Sequence, residues 1–496
     1  MFSAALFSAG RTPSTPNLHF LGQSGNAGVL TALLRISAWR YFACMKKRII
    51  SAFALTVILC MPLAGQDYLP QFETMALPNG LAVTLHRDST VSFVSLNMSY
   101  RAGSSRDPEG KTGVANIAGE SLLTGTKLFP REELIRLRTE EDVSIRAQTT
   151  VDWCSIASVF PANQLELALM IEADRLKHAE NTATVEVFDA IVAVLKREHD
   201  RRARKPLASL RQQIYDELYS EGHPYRHSTI GYAADLEKLS VKDVRTFLKR
   251  YMSPSNACLT ISGNFDPERI TALVQGAFSD IPAGVVSRWK TLPDEFSPYG
   301  QAAFIREDRI EYNQLHLIFP SVRLGHTDDA ALKALAAVLN ASQYAILRQR
   351  IVDANPLVVN AEVYQSAQEI GGNFWISVTV KPEMKLQVLY DQVMRLLTSL
   401  AEEGVTEEEV LVARNHSALD FYTPLEAVYS FGGRGDLLNL GMLYADDPLF
   451  HFDLFHLQQG ATSASLRRAA ARYLTAKNQL VVSCVPMGKT EYAVSP

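Results

Sequence analysis

A short pattern that occurs twice constrains the fold of this chain more than any other feature of its sequence. Arg250-Tyr251 ends a helical pattern, Asn256 follows five positions after the tyrosine, and an apolar run typical of a buried strand comes next. Arg472-Tyr473 and Asn478 repeat this spacing before a second apolar run. A matching dipeptide alone carries little weight, but helix, spacing and strand together indicate an internal duplication. The sequence therefore predicts two similar α+β halves of roughly 200 residues each.

The first half begins with the patterns of a sheet and continues with long helices. Asn79-Gly80 is a turn dipeptide between two apolar runs, which predicts a hairpin within residues 72–86. Apolar and polar residues alternate over 95–100, the period of a half-buried strand, and helical patterns follow over 164–180 and 184–203. The same order is predicted in the second half, with a strand at 315–319, a helix at 329–341 and a strand pair at 357–380.

The charge distribution separates a leader from the body of the chain. The first acidic residue is Asp67, and six basic residues precede it unopposed. Without those six, 43 basic and 53 acidic residues remain, so the formal charge of the body is −10. A nucleic-acid-binding protein needs a basic face that neutralises phosphates. The body contains no basic tract of that kind, and we therefore expect no nucleic-acid partner.

Residues 45–65 have the form of a secretory signal peptide. Met45-Lys46-Lys47-Arg48 supplies the positive charge, and the apolar run that follows is shorter than the roughly 20 residues that a membrane span requires. We therefore expect a periplasmic or secreted protein with no membrane span beyond this segment. Residues 1–44 are either an over-called start or an extra targeting segment. If the whole leader is a transit peptide, the expected compartment is the mitochondrion.

The duplication divides the remaining chain into two expected domains. The first covers 67–283, a linker with proline, glycine and serine covers 284–300, and the second covers 301–490. The cysteines of these domains lack the close spacing of a disulfide framework or a zinc knuckle. They are expected to be buried in strands as small apolar residues: Cys154, Cys258 and Cys484.

Several short segments resemble the pitrilysin/insulinase family of zinc metallopeptidases. They lie at 77–81, 102–105, 113–115, 124–126, 223–225, 229–231, 253–256, 371–374 and 472–475. The resemblance extends over residues 70–485 with consistent spacing. It implies an α+β fold of two similar halves, each a mostly antiparallel sheet packed with helices, and it identifies both domains as peptidase-like.

Active members of the resembled family carry an inverted zinc motif, His-x-x-Glu-His, on the first helix. Residues four apart share one helical face, so the two imidazoles bind zinc while the glutamate activates a water. The resemblance places this motif on Asn116-Ile117-Ala118-Gly119-Glu120, and the family's distal glutamate ligand on Glu198. An amide and a glycine thus stand at the first histidine and the general base. We therefore expect no cofactor, with Glu120 and Glu198 as weak candidates for a hard cation.

The family also carries an arginine and a tyrosine, seven residues apart in the second half, that stabilise the oxyanion and hold substrate. The resemblance places these positions on Val352 and Val359, and neither side chain can donate a hydrogen bond. The edge strand that binds substrate in the family corresponds to 144–150. Peptide binding is therefore assigned to residues of that edge: Ser144, Ile145, Arg146, Ala147 and Gln148.

The remaining polar candidates favour structural interpretations. His451 and His456 lie among apolar residues and are expected on a helix surface or at the edge of the core rather than at a metal. The arginines that follow Leu195 are expected to form a solvated helix face.

The departures from the family pattern favour a catalytically degenerate member that acts as a non-catalytic partner or scaffold of an active zinc subunit. Self-association is the other expected assembly, and a bound peptide is compatible with both. Two further hypotheses stay open. One is a stand-alone peptide-binding protein, and the other is a metal-dependent endopeptidase with a residual carboxylate site.

Overall fold

Two sheets with the same strand order organise the structure. The computed structural model describes residues 69–288, 299–340, 343–428 and 431–495, and the chain from Leu69 onward forms one compact unit. The first sheet contains β1 (Glu73–Ala76), β2 (Ala82–Arg87), β3 (Phe93–Tyr100), β4 (Ser144–Thr149), β5 (Cys154–Pro161) and β6 (Ala257–Gly263). The second contains β7 (Gly300–Asp308), β8 (Asn313–Ser321), β9 (Val358–Ala367), β10 (Gly372–Val380) and β11 (Asn478–Pro486).

The strand order shows which elements of the two halves are equivalent. The first sheet runs β1-β2-β6-β3-β5-β4 and the second β7-β11-β8-β10-β9. Each has one parallel pair, β2 with β6 and β7 with β11, and every other pair is antiparallel. The edge strands β4 and β9 therefore occupy equivalent positions. This arrangement confirms the predicted α+β fold of two similar halves with mostly antiparallel sheets.

The helices follow the same repeat. The first half contains α1 (Val114–Ser121), α2 (Arg131–Glu140), α3 (Leu165–Lys177), α4 (Val185–Ala203), α5 (Leu210–Leu218), α6 (Ala233–Leu236), α7 (Val241–Tyr251) and α8 (Pro267–Phe278). The second contains α9 (Asp329–Asn340), α10 (Leu386–Glu402), α11 (Glu407–Tyr422), α12 (Arg434–Ala445), α13 (Phe450–Gln459) and α14 (Ser463–Tyr473). Helix α1 packs on α4, α7 and β4, and α9 packs on α11, α14 and β9. Helices α1 and α9 are therefore counterparts.

The duplicated asparagines make the same hydrogen bonds in both halves. The Asn256 side-chain amide donates to the Tyr251 carbonyl at 2.8 Å, and the Asn478 amide donates to the Tyr473 carbonyl at 2.8 Å. Each asparagine thereby ties the end of a helix, α7 or α14, to the start of a central strand. Both are buried, so the carbonyls that they bind would otherwise lack a partner.

Each half places one helix on the sheet of the other half. Helix α5 buries Leu210, Ile214 and Leu218 against Trp375 and neighbouring apolar residues of the second sheet. Its counterpart α12 packs on β2, β3 and β6 of the first sheet, through an apolar cluster in which Leu440 and Leu443 join Cys258 and through polar contacts. There the Asn439 amide donates to the Ser99 hydroxyl at 2.7 Å and the Thr260 hydroxyl donates to the Asn439 oxygen at 3.2 Å.

A second polar contact joins the halves at the end of the β4–β5 hairpin. The buried carboxylate of Asp152 accepts a hydrogen bond from the Tyr225 hydroxyl at 2.6 Å and another from the Glu369 backbone N–H at 3.0 Å. The Tyr225 hydroxyl also accepts from the Ile370 N–H at 3.0 Å. Tyr225 belongs to one of the segments that carry the family resemblance, and its side chain links the two halves.

Some predicted segments differ from the observed elements or cannot be compared with them. Strand β7 escaped prediction, since its apolar run is only the four residues 302–305 and it pairs in parallel with the distant β11. The signal peptide at 45–65, the segment 1–44 and the part of the linker at 289–298 lie outside the described residues. Residue 300, assigned to the linker, is the first residue of β7. The three cysteines are buried and free.

Candidate functional site

The three degenerate motif positions lie on helix α1, between the first sheet and α4. Asn116 is half-buried, Gly119 is buried and Glu120 is exposed. The spacing of these residues places them on one helical face, as the zinc motif requires. The structure thus preserves the helix that carries the motif in the resembled family, while the residues on it have changed.

Buried charged side chains hold both ends of α1. The Asp107 carboxylate accepts hydrogen bonds from the Gly113 N–H at 2.7 Å and the Ala115 N–H at 2.8 Å, which satisfies free donors at the helix start. Beyond the helix end, the Arg175 guanidinium donates to the Leu122 carbonyl at 2.9 Å and forms a buried ion pair with Glu172. The position of the helix is therefore fixed independently of any metal.

Gly119 stands where the general base would be, and its surroundings leave no room for a side chain. A Cβ atom on Gly119 would lie 2.4 Å from the Thr149 hydroxyl oxygen and 2.9 Å from the Cys154 sulfur. These two atoms contact each other at 3.6 Å, so strands β4 and β5 fill the space beside the helix. The glycine is therefore a packing requirement of this helix–sheet contact, and it supplies no side chain at the position that the resemblance assigns to the general base.

The distal position, Glu198, is engaged by arginines of its own helix. Its carboxylate accepts hydrogen bonds from Arg201 and Arg202, three of them at 2.6 Å, and these bonds lower the pKa of Glu198 to about 2. The spacings of three and four residues explain the contact, because such residues are neighbours on a helix surface. The carboxylate would have to leave both arginines before it could bind a cation.

The residues present do not fit the zinc site of the resembled family. Asn116 offers only a neutral amide oxygen, and partial desolvation raises the pKa of Glu120, which disfavours its charged form. Among the residues that the structure describes, no group of three or more His, Cys, Asp and Glu side chains is placed to hold a metal ion. Zinc normally takes three or four such ligands in proteins.

The two positions of the family's arginine and tyrosine lie in separate elements of the second half. Val352 ends a single π-helical turn, Arg348–Val352, and Val359 is 47% exposed on the edge strand β9. Arg348 and Tyr364 are close in sequence but have other partners. Arg348 forms an ion pair with Asp353 at 3.1 Å, and Tyr364 stacks on Trp375.

The proposed peptide-binding residues lie on β4, an edge strand of the first sheet. The Ile145 carbonyl accepts a hydrogen bond from Arg138 of α2 at 2.9 Å, so it points away from β5. Because N–H and C=O of one residue in an antiparallel strand point to the same side, Ile145, Ala147 and Thr149 direct their backbone groups outward. An added strand would pair with these three residues and would compete with Arg138 at Ile145.

Sequence reasoning missed the buried charged residues around α1. Asp107 accepts the two helix-start donors and also contacts the His227 ring nitrogen at 3.2 Å. Burial raises the pKa of Asp107 to about 7 and lowers the pKa of His227. Their sequence separation of 120 residues gave no local signal. Arg175 and Glu172 did have a local signal in the sequence, since both lie within an otherwise apolar helical pattern.

The contact at Gly119 predicts opposite effects of alanine at two helical glycines. Gly119→Ala should lower the free energy of unfolding by about 1–3 kcal/mol, because Thr149 and Cys154 must shift to admit the methyl group. Gly276→Ala in α8 should stabilise the protein by up to about 1 kcal/mol, since a Cβ there meets no atom within 4 Å. Urea denaturation of both variants measures the difference. Stabilisation by Gly119→Ala would contradict the packing described.

Asp107 predicts a pH dependence of stability. Its folded pKa of about 7 lies above the unfolded value of about 4, so the folded state retains a proton that the unfolded chain releases between those values. The free energy of unfolding should therefore decrease across that window as pH rises and level off above about 7. Asp107→Asn should remove this contribution, whereas the exposed Asp280→Asn should retain it. Urea denaturation at several pH values tests this, and parallel profiles for Asp107→Asn and wild type would contradict it.

Known proteins share sequence with this chain over most of its length. Residues 238–416 match the family model described as the peptidase M16 inactive domain. The zinc protease PqqE of Helicobacter pylori is 22% identical over 390 residues, which cover 76% of this chain and 86% of that protein.

Solved structures share the fold. The peptidase M16 inactive domain from Pseudomonas fluorescens has a TM-score of 0.73 at 17% identity, over 86% of this chain and 99% of that chain. The first half of the periplasmic protease PqqL from Escherichia coli has a TM-score of 0.70 at 18% identity, over 86% of this chain and 95% of that chain.

A helix that spans a membrane must be both long and apolar. None within the described ranges combines the length and the hydropathy that a membrane span requires. In sequence and in its duplicated α+β fold, this chain is similar to proteins of the pitrilysin/insulinase family, peptidase family M16, and its residues 238–416 match the inactive-domain model of that family.

Proposed function

We propose that this protein is a catalytically degenerate family member that serves as a non-catalytic partner or scaffold of an active zinc metallopeptidase in an exported compartment. The observation that carries the proposal is the contact at Gly119. The general base is absent, and Thr149 and Cys154 fill the space in which its side chain would begin. A positioned acid–base group contributes about 10²- to 10⁴-fold to the rate, so hydrolysis would be slow even with a metal bound.

The other changes support the same proposal. Glu198 is hydrogen-bonded to two arginines, and Asn116 replaces the first imidazole. Val352 and Val359 supply no donor for an oxyanion, so the chain lacks both the zinc-binding set and the oxyanion-stabilising set of its family. Replacements in both of these residue sets, on a similar fold, favour retention for binding or assembly over retention for chemistry.

The signal-like leader and the described relatives support the proposed compartment and assembly. The signal-like segment at 45–65 directs a chain to export, and the solved relative from Escherichia coli is described as periplasmic. The matched family model is described as an inactive domain. We infer that the chain pairs with a second subunit, and the partner proposed here is an active member of the same family, with self-association as the other assembly.

Metal analysis combined with a peptide-cleavage assay tests the proposal. We expect less than stoichiometric zinc in the purified protein and no cleavage of an unstructured peptide library. The double variant Glu120→Ala, Glu198→Ala should leave the metal content unchanged, and the exposed Glu408→Ala serves as the matched control. One zinc per chain together with cleavage that the double variant abolishes would establish the residual-metalloenzyme hypothesis instead.

The outward backbone groups of β4 favour a second candidate, a stand-alone peptide-binding protein. Proline at position 147 removes one outward N–H but no β4–β5 hydrogen bond, and edge strands tolerate such prolines. Ala147→Pro should therefore abolish binding of an extended peptide in a fluorescence-polarisation assay. Arg146→Ala, which changes only an exposed side chain, should retain the backbone pairing.

Size measurement and affinity capture separate the two candidates. A monomer that binds peptides through β4 without a peptidase partner would support the stand-alone role. A stable complex with an active family member, unaffected by Ala147→Pro, would support the partner role.

A further inference from the structure

A cavity of about 580 Å³ lies in the second half, at the position that the duplication makes equivalent to the degenerate motif. Helices α9, α11 and α13 and the edge strand β9 line it. Helix α9, the counterpart of α1, contributes Lys333, Ala336 and Ala337. These residues have the same spacing as Asn116, Gly119 and Glu120, so corresponding helix faces meet the edge strand in both halves.

The two halves differ in how this space is filled. In the first half, Thr149 and Cys154 approach the helix backbone so closely that no Cβ fits at Gly119. In the second half, the two alanines of α9 leave a volume that falls within the range of small-molecule sites, about 300–1,000 Å³. An open pocket therefore borders this helix face in the second half, whereas strands pack directly on the corresponding helix at Gly119 in the first half.

Aromatic and aliphatic side chains form much of the wall. Phe421 of α11 stacks on Phe455 of α13 with ring centroids 4.1 Å apart, and Leu454 completes this surface. Phe455 and Leu454 are buried. A wall of this composition favours an apolar or aromatic ligand body.

One polar group of the cavity wall lacks a partner. The ring nitrogen Nε2 of His451 is buried and has no hydrogen-bond partner among the residues that the structure describes. Lys333 lies near enough for its charge to act on the imidazole, and together with burial it lowers the pKa of His451 to about 4. Lys333 itself pairs with the buried Asp329 at 2.9 Å. Asp420 is exposed on the lining, so a ligand carboxylate is better placed at His451 than beside Asp420.

We propose that this cavity binds a carboxylate attached to an apolar or aromatic body, with the carboxylate at His451 Nε2 and the body against Phe421 and Phe455. The bond to the carboxylate would satisfy a buried polar atom that has no partner in the described part of the chain. The ligand is either a free carboxylic acid or the C-terminal residue of a peptide, since both present the same chemistry. This proposal does not depend on whether the first half hydrolyses peptides.

Isothermal titration calorimetry with matched acids and amides tests the charge requirement. The probes are 4-phenylbutyrate, its neutral amide, and the tripeptide Ala-Ala-Phe with a free or an amidated C-terminus. We expect at least one acid to bind the full chain about 10-fold or more tightly than its amide, the size of effect that a charge-assisted hydrogen bond produces. Binding of 4-phenylbutyrate identifies a free acid as sufficient. Binding of the tripeptide alone identifies a peptide terminus.

Three variants test the location of the site. Ala337→Trp fills the cavity and should abolish binding, while His451→Phe should weaken the acid about 10-fold and leave the amide unchanged. Leu457→Trp is the control, since Leu457 lies on the same helix but is 60% exposed. His451→Phe retains the aromatic volume, so it keeps the test decisive if Ala337→Trp fails to fold. Equal affinity for acid and amide, no binding of any probe, or binding that both cavity variants leave intact would overturn the proposal.

Discussion

The exchange of helices between the two halves is the contact on which the rest of the structure depends. Helix α5 leaves the first half to cover the second sheet, and α12 returns from the second half to cover the first. A sheet must bury its apolar face against another layer, and neither half supplies that layer for itself on this side. Leu210, Ile214 and Leu218 each contribute about 1.5–3 kcal/mol by burial in this contact. The polar contacts of α12 make the packing of the two halves more specific, because Asn439 can bond to both Ser99 and Thr260 in only one register.

Helix α1 is held in place by contacts that require no metal. Asp107 binds its start and Arg175 its end, and both side chains are buried. Removing one partner of a buried ion pair leaves an uncompensated charge, so Arg175 and Glu172 are constrained together. The fold therefore does not depend on Glu or His side chains at positions 116, 119 and 120, and Gly119 allows Thr149 and Cys154 to pack directly on the helix.

Local patterns in the sequence predicted many of the helices and strands. The contacts between these elements depend on residues that are far apart in the sequence. The Asn79-Gly80 hairpin, the strand β3 and the duplicated asparagines were readable because their signals span a few residues. The prediction that β3 is half-buried was wrong, because α12 of the other half covers its polar face and buries Asn97 and Ser99. Strand β7 was not, since its partner β11 lies far along the chain. The sequence shows that Gly119 lacks a base, but the atoms that exclude one come from residues 30 and 35 positions later. The arginines that bind Glu198 were readable as a charged helix face, whereas the bonds themselves depend on side-chain geometry.

Duplication gives a fold two copies of one architectural position, and the copies can diverge without disturbing each other. Helices α1 and α9 meet equivalent edge strands, yet one face is closed by direct contact and the other borders a cavity. The difference arises from small residues in different roles: Gly119 permits close approach of a strand, whereas Ala336 and Ala337 face open volume. Helix α13 supports the wall of the cavity in the second half, because its Phe455 stacks on Phe421 of α11. A ligand site can therefore develop in one half while the other half serves the packing, since the asparagine-anchored strands and the exchanged helices fix both sheets independently of either face.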